Sequence, residues 1–137
     1  MPAGETGDSP ALPVGSGAKQ PPTVLLIEDD DDTRATLAEL LEERGYRVAP
    51  TSNGREAQSY LLSHPRPSCI VLDLWMPAMD GWAFVAEVND GRLPRVPMMV
   101  ITAAESYWGY PIPARWVLRK PLDSGKFLGM VDSLVVA

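Results

Sequence analysis

A chain of 137 residues has room for one domain with a sizeable core and little beyond it. Eighteen acidic against twelve basic residues leave a net charge of −6, which argues against a sequence-independent grip on nucleic acid phosphates. The single cysteine, Cys69, has no internal disulfide partner, and there is neither a secretory leader pattern nor an apolar run long enough to cross a bilayer, so the chain reads as soluble and cytoplasmic.

Met1 to Pro22 holds five prolines and four glycines, no aromatic residue, and only Leu12 and Val14 among valines and leucines. Such a stretch buries too little apolar surface to offset the entropy of ordering it, so residues 1–22 are expected to form a disordered tail. Gly15 and Gly17 begin a phosphate-loop pattern, but no strand precedes them and Gln20 stands where the next glycine belongs, which leaves a flexible linker as the reading.

From Thr23 to Ala137 strand and helix signals alternate five times, the pattern of a parallel sheet wrapped by helices. The first strand is Val24 to Glu28, and the next helix runs from about Asp32 to Arg44, with Leu37, Leu40 and Leu41 on one face and Gly45 as its stop. A second strand is expected near Tyr46 to Pro50. Asn53 caps a helix bearing Ala57, Tyr60 and Leu61, which Pro65 and Pro67 close before a third strand, Cys69 to Leu72. A third helix begins after Asp80-Gly81, carries Phe84, Val85 and Val88 inward and ends near Gly91. Strand four is Met98 to Thr102, strand five is Trp116 to Arg119, and the last helix spaces Phe127, Val131, Leu134 and Val135 three and four apart.

The chemistry lies at the strand ends. Glu28-Asp29, Asp73, Thr102 and Lys120 each follow a short apolar run, so each should project from the carboxyl end of a buried parallel strand, where open α/β sheets place their ligands. If Glu28, Asp29 and Asp73 converge, each pair of charges about 4 Å apart repels by roughly 4 kcal/mol at an effective dielectric near 20. Lys120 offsets one charge, and a hard divalent ion that prefers oxygen ligands and keeps several waters, Mg²⁺, suits the remainder. Phosphoryl transfer needs an aligned nucleophile and positive charge around the equatorial oxygens; Asp73 is then the nucleophile, aided by the ion, Lys120 and the Thr102 hydroxyl. Asp30, Asp31 and Asp32 read instead as a charged helix start favoured by capping and the helix dipole. His64 reads as a solvated helix-end residue and Cys69 as a small buried strand residue.

The acidic pair after strand one, Leu72-Asp73-Leu74-Trp75-Met76-Pro77 through Asp80-Gly81, Ile101-Thr102-Ala103 and Lys120-Pro121 together resemble the receiver domain of bacterial two-component response regulators, over nearly the whole chain outside its tail. The resemblance implies a flavodoxin-like (CheY-like) five-stranded parallel sheet of order 2-1-3-4-5. It also implies that Asp73 accepts a phosphoryl group from a histidine kinase or histidine phosphotransfer protein. Glu28 and Asp29 would hold Mg²⁺ directly or through water, with Asp73 and the Trp75 backbone carbonyl completing the metal site, while Thr102 contacts the phosphoryl oxygens and Lys120 pairs with them. Glu28, with its longer arm, would reach the ion through water.

The chain departs from that family in several respects. The family usually has a tyrosine or phenylalanine three residues before the lysine, a ring that turns inward on phosphorylation, and here Val117 stands there; Trp116 faces the other side of the strand. Ala103 to Arg115 is about one helical turn short, and Pro111 and Pro113 oppose a regular helix, so the fourth helix is expected to be short or degenerate. Trp108 and Tyr110 in that segment either form a partner-binding patch or fold back over the sheet. With the last helix ending near Ala137, the reading is a stand-alone receiver that relays phosphoryl groups or binds an unknown protein target, not an enzyme and not bound to nucleic acid or membrane.

The alternative is a phosphorylation-independent pseudo-receiver acting as a protein-binding module. A phosphatase of the haloacid dehalogenase type also uses a strand-end aspartate, but it expects a second aspartate two positions on, where Trp75 stands. That indole beside the phosphoacceptor, with Ala104 unable to position water, is expected to shield an acyl phosphate and slow its self-hydrolysis. Trp75→Asn should therefore shorten the lifetime of phosphorylated protein in a phosphate-release assay, and equal or slower decay in the variant would count against the shielding.

Overall fold

The structure, a computed structural model, describes residues 21–74, 84–88, 90–102 and 116–136. Its elements in chain order are β1 Thr23–Ile27, α1 Asp31–Glu43, β2 Arg47–Thr51, α2 Gly54–Ser63, β3 Cys69–Leu74, a helical segment α3 over residues 84–88, β4 Met98–Thr102, β5 Trp116–Arg119 and α4 Ser124–Val136. The strands form one parallel sheet in the order β2-β1-β3-β4-β5, the expected flavodoxin-like arrangement. The tail over residues 1–20 and the segment 103–115, with Trp108, Tyr110 and the expected degenerate helix, lie outside the described residues.

Alternation along each strand sorts the core into two layers. Leu25 and Ile27 of β1, Ile70 and Leu72 of β3, and Met98 and Val100 of β4 pack with Ala57 and Leu61 of α2 and with Phe84, Val85 and Val88 of α3. The intervening residues, Val24, Leu26, Cys69, Val71, Met99 and Ile101, pack on the other face with Leu37 and Leu41 of α1 and Phe127, Val131 and Leu134 of α4. β1 and β3 are apolar on both sides because both of their faces are covered. β2 is an edge strand, and this is why it tolerates the exposed Pro50, which donates no backbone hydrogen bond.

Helix ends follow their local chemistry. Asp30 caps α1, its carboxylate accepting from Thr33 N–H at 2.8 Å, so the acidic run Asp30–Asp32 is a helix start as the sequence implies. Asn53 caps α2 by accepting from Glu56 N–H at 2.9 Å, while Glu56 accepts in return from Ser52 N–H at 2.7 Å. α1 ends in a left-handed turn: Gly45 has φ of 100°, its N–H donates to the Glu42 carbonyl, and Tyr46 N–H reaches back to the Leu41 carbonyl. Three strands differ in extent from the sequence reading. β1 and β2 are each shifted by one residue, to Thr23–Ile27, which leaves Glu28 just past the strand, and to Arg47–Thr51, and β3 runs two residues past Leu72, because Asp73 and Leu74 still pair in register with Ile101 and Thr102. The phosphoacceptor candidate therefore sits within the last rungs of the sheet rather than just beyond it.

A polar latch closes the α1, β2 and α4 side. Asp132 on α4 accepts from the Arg44 guanidinium (Nε at 3.1 Å, and Nη2) and from the Tyr46 hydroxyl. The Tyr46 hydrogen bond, then Arg44, holds the Asp132 carboxyl below its ordinary range, and burial first, then Asp132, pushes the Tyr46 phenol up. The Arg44 arm is solvent-screened and contributes little, so the half-buried Tyr46 hydroxyl decides the energetics. Asp132→Ala should lower stability by about 1 kcal/mol, and in a Tyr46→Phe background, where no hydroxyl is stranded, by clearly less. Equal losses in both backgrounds, read from denaturant melts, would contradict this apportioning.

Candidate functional site

Sheet register builds the site. Ile27 is level with Leu72, so Glu28 and Asp73 are adjacent one step further along, and Asp73 is level with Ile101, itself level with Leu118 on β5. Lys120 follows two residues after Leu118, and its long arm returns across the sheet end to place Nζ 2.9 Å from Asp73 Oδ2. Lys120 is joined to Pro121 by a cis peptide bond. The Asp73 side chain is fully buried, whereas the Lys120 side chain keeps about a quarter of its surface in solvent.

Glu28 is as buried as the core, 2% exposed, and its position is overdetermined. Its N–H donates to the Thr51 carbonyl at 3.0 Å, and its Oε2 accepts from Asp30 N–H at 2.9 Å. Its carbonyl oxygen accepts from Arg34 Nη1 at 2.9 Å. Thr51 is anchored in turn by its hydroxyl, which donates to the Leu26 carbonyl at 2.8 Å. The Glu28 carboxyl lies within hydrogen-bond reach of that of Asp73, and Glu28 Oε1 and both Asp73 oxygens have no hydrogen-bond donor among the described residues. The Lys120 contact to Oδ2 is therefore a short ion pair rather than an aligned hydrogen bond. Burial first, and then the facing Asp73 carboxyl, pushes Glu28 up to about 9.

Asp29, the next residue, is exposed, and its carboxyl also comes within reach of Glu28. Among the described residues no three His, Cys, Asp or Glu side chains gather closely enough to hold a metal by themselves. What the site does offer is a buried pair of carboxyls whose free oxygens face one another. Bare acceptors in a low-dielectric setting favour a hard cation that brings much of its own water. Thr102 ends β4, in register with Leu74 and Arg119, one rung beyond Asp73. Its hydroxyl, on which the expected phosphoryl contact rests, is outside the described structure, as is Trp75 with its backbone carbonyl.

Sequence reading missed Arg34 and Thr51, which hold Glu28 from two sides. Arg34 is three residues after Asp31 on the same helix, and a cation in a first helical turn, disfavoured by the dipole, was the available signal. His64 is exposed at the end of α2 and stacks on Tyr60, with ring centroids 4.2 Å apart, in keeping with a solvated helix-end residue. Cys69 is buried in β3, and burial pushes its thiol up to about 12, so it packs as a small inert residue.

A five-stranded 2-1-3-4-5 sheet carrying a buried aspartate, a companion acid and a lysine at its carboxyl end defines the receiver class. Residues 24–132 match the response regulator receiver domain, and the chain belongs to that family. It is 34% identical over 94 residues to the two-component response regulator ORR11 of Oryza sativa subsp. indica, covering 68% of this chain and 63% of that protein. It is 29% identical over 122 residues to response regulator Rre1 of Synechocystis, covering 85% of this chain and 52% of that protein. The chain thus spans about half to two thirds of the length of these relatives.

Among solved structures it is similar to the receiver domain of a signal transduction histidine kinase from Syntrophus aciditrophicus, at 28% identity and TM-score 0.72 over 84% of this chain and 90% of that one. A similar fold, at TM-score 0.73 and 23% identity over 85% of this chain and 99% of that one, is the receiver domain of sensor histidine kinase PA1611 from Pseudomonas aeruginosa PAO1, which has a magnesium ion coordinated in its active site cleft.

The raised Glu28 pKa fixes a sign. A carboxyl that stays protonated in the folded state where the unfolded chain has lost its proton contributes stability below its ordinary value of 4.5, and that contribution is lost as pH rises toward about 9. Glu28→Gln removes this titration. In EDTA, the melting-temperature difference between Glu28→Gln and wild type should shift in favour of the variant from about pH 5 to about pH 9; a difference independent of pH would contradict it.

Proposed function

We propose that this receiver takes a phosphoryl group onto Asp73 from a histidine kinase or a histidine phosphotransfer protein and signals by protein contact according to its phosphorylation state. One observation carries the reading: a fully buried aspartate holds a lysine ammonium at 2.9 Å while both of its oxygens and Oε1 of the neighbouring Glu28 have no hydrogen-bond donor among the described residues. A merely structural ion pair would have its remaining lone pairs satisfied.

In the transfer, an Asp73 carboxylate oxygen forms a bond to phosphorus as the bond from phosphorus to the donor's imidazole nitrogen breaks. The imidazole leaves with the electron pair, and an acyl phosphate remains. Lys120 steadies the carboxylate beforehand and is positioned to follow the charge onto the phosphoryl oxygens, with the Thr102 hydroxyl as a further donor. Asp73, Glu28, Asp29 and the Trp75 carbonyl, together with water, would hold Mg²⁺, which when bound would neutralise charge where an anionic phosphoryl group meets two acids. The protein is an acceptor rather than a catalyst of turnover.

A cavity of about 320 Å³ between α1 and the start of α4, lined by Leu37, Leu40, Leu122 and Phe127 with Thr33 and Ser124 beside them, opens next to the loop carrying Lys120 and suits the docking of a donor protein. Among the described residues no helix is long and apolar enough to cross a membrane. In the proposed reading residues 23–137 are a cytoplasmic receiver and residues 1–22 a tail.

Acetyl phosphate labelling tests the assignment. Wild type with Mg²⁺ should acquire a hydroxylamine-labile phosphate that EDTA prevents and that Asp73→Asn lacks. Equal labelling of Asp73→Asn would move the acceptor elsewhere, and no labelling of wild type by acetyl phosphate or any histidine donor would favour the pseudo-receiver.

A further inference from the structure

We propose that Arg34 is a positioning residue for the metal, pinning the peptide that joins the two β1 acids; this rests on the reading that those acids hold Mg²⁺. The carbonyl that Arg34 Nη1 engages at 2.9 Å belongs to the Glu28–Asp29 peptide, so one hydrogen bond sets the plane from which both acidic side chains depart. The other Glu28 contacts do not duplicate it. Thr51 holds the preceding N–H, and Asp30 holds a carboxyl oxygen, so without Arg34 the peptide between the two acids has no anchor of its own among the described residues.

The arginine is built for this. Its side chain keeps only 22% of its surface exposed, its second arm pairs with Asp31, and its own N–H continues α1 by donating to the Asp30 carbonyl at 2.8 Å. One arm of the fork thus ties the loop to the helix at the Glu28 carbonyl while the other is braced within the helix by Asp31, a two-armed geometry that a single ammonium cannot reproduce. Its location runs against electrostatics twice. A cation in the first turn opposes the helix dipole, and a cation beside a divalent-ion site repels the ion. Pairing with Asp31 softens both penalties without removing them, and the hydrogen bond to Glu28 is the compensating gain.

These opposing effects give the test its sign. Loss of positive charge alone would tighten Mg²⁺ binding, whereas loss of the clamp weakens it, by roughly tenfold for a group that orients ligands without touching the metal. Isothermal titration of the full chain with MgCl₂ should find Arg34→Met weakened about tenfold and Arg34→Lys, which keeps the charge and one donor, in between, with melting temperatures in EDTA confirming that each variant is folded. If wild type binds Mg²⁺ and Arg34→Met binds it equally or more tightly, the positioning role falls while the metal reading stands. If wild type takes up no Mg²⁺, both fall. Should Arg34→Met fail to fold, Arg34→Lys carries the same decision, and affinity equal to or above wild type overturns the proposal.

Discussion

Negative charge confined at the carboxyl end of a buried sheet is the constraint around which this domain is arranged. Two carboxyls, Glu28 and Asp73, sit as deep as core leucines and face each other, with one ammonium within ion-pair distance. At such range like charges repel by roughly 4 kcal/mol even at an effective dielectric near 20, a sizeable fraction of the stability of an ordinary domain. The fold tolerates this because proton uptake by Glu28 and the Lys120 pair each relieve part of it. A buried site in which two carboxyls crowd one another is poised to bind a cation, and its energetic cost is met by the apolar layers on both faces of the sheet.

Those layers also explain why the charges can be held where they are. Glu28 continues the face of Val24 and Leu26, and Asp73 that of Cys69 and Val71, so both acids emerge on the α1 and α4 side of the sheet. The parallel pairing of β1 with β3 and of β3 with β4 brings residues far apart in sequence onto neighbouring rungs without any loop having to be specified. Lys120 follows β5, a strand two places away from β3, and its long flexible side chain allows it to reach Asp73 across β4.

Much of this was legible in the sequence because it is written locally. Alternation of strand and helix signals, the caps at Asn53 and Gly45, and apolar spacing in α4 each follow from neighbours within a turn or two, and strands four and five were delimited to the residue. The candidate set Asp73 and Lys120 was legible because both follow buried runs. The difference between Glu28 and Asp29 was not. Two adjacent acids after a strand look equivalent in one dimension, and which of them turns inward is decided by alternation carried one residue past the strand and by Thr51 and Arg34, residues 23 and 6 positions away. The extension of β3 through Asp73 was missed for a related reason: a charged residue ends an apolar run, yet backbone pairing with β4 does not depend on side-chain polarity.

The position three residues before Lys120 bears on how such a site communicates. Val117 is half-buried, level with Val100, and packs against the layer formed with α2 and α3, while its neighbour Leu118 belongs to the opposite layer. An aromatic ring at that position could swing between a buried and an exposed rotamer, but a valine has a single stiff side-chain torsion and no long arm to move. A change at Asp73 that pulls on Lys120 would therefore act on the backbone of β5 and the loop into α4 and not through a swinging side chain at position 117. Because β5 is an edge strand paired on one side by β4, whereas β1 and β3 are paired on both, a small displacement along it disturbs one strand ladder where the same displacement in β1 or β3 would disturb two.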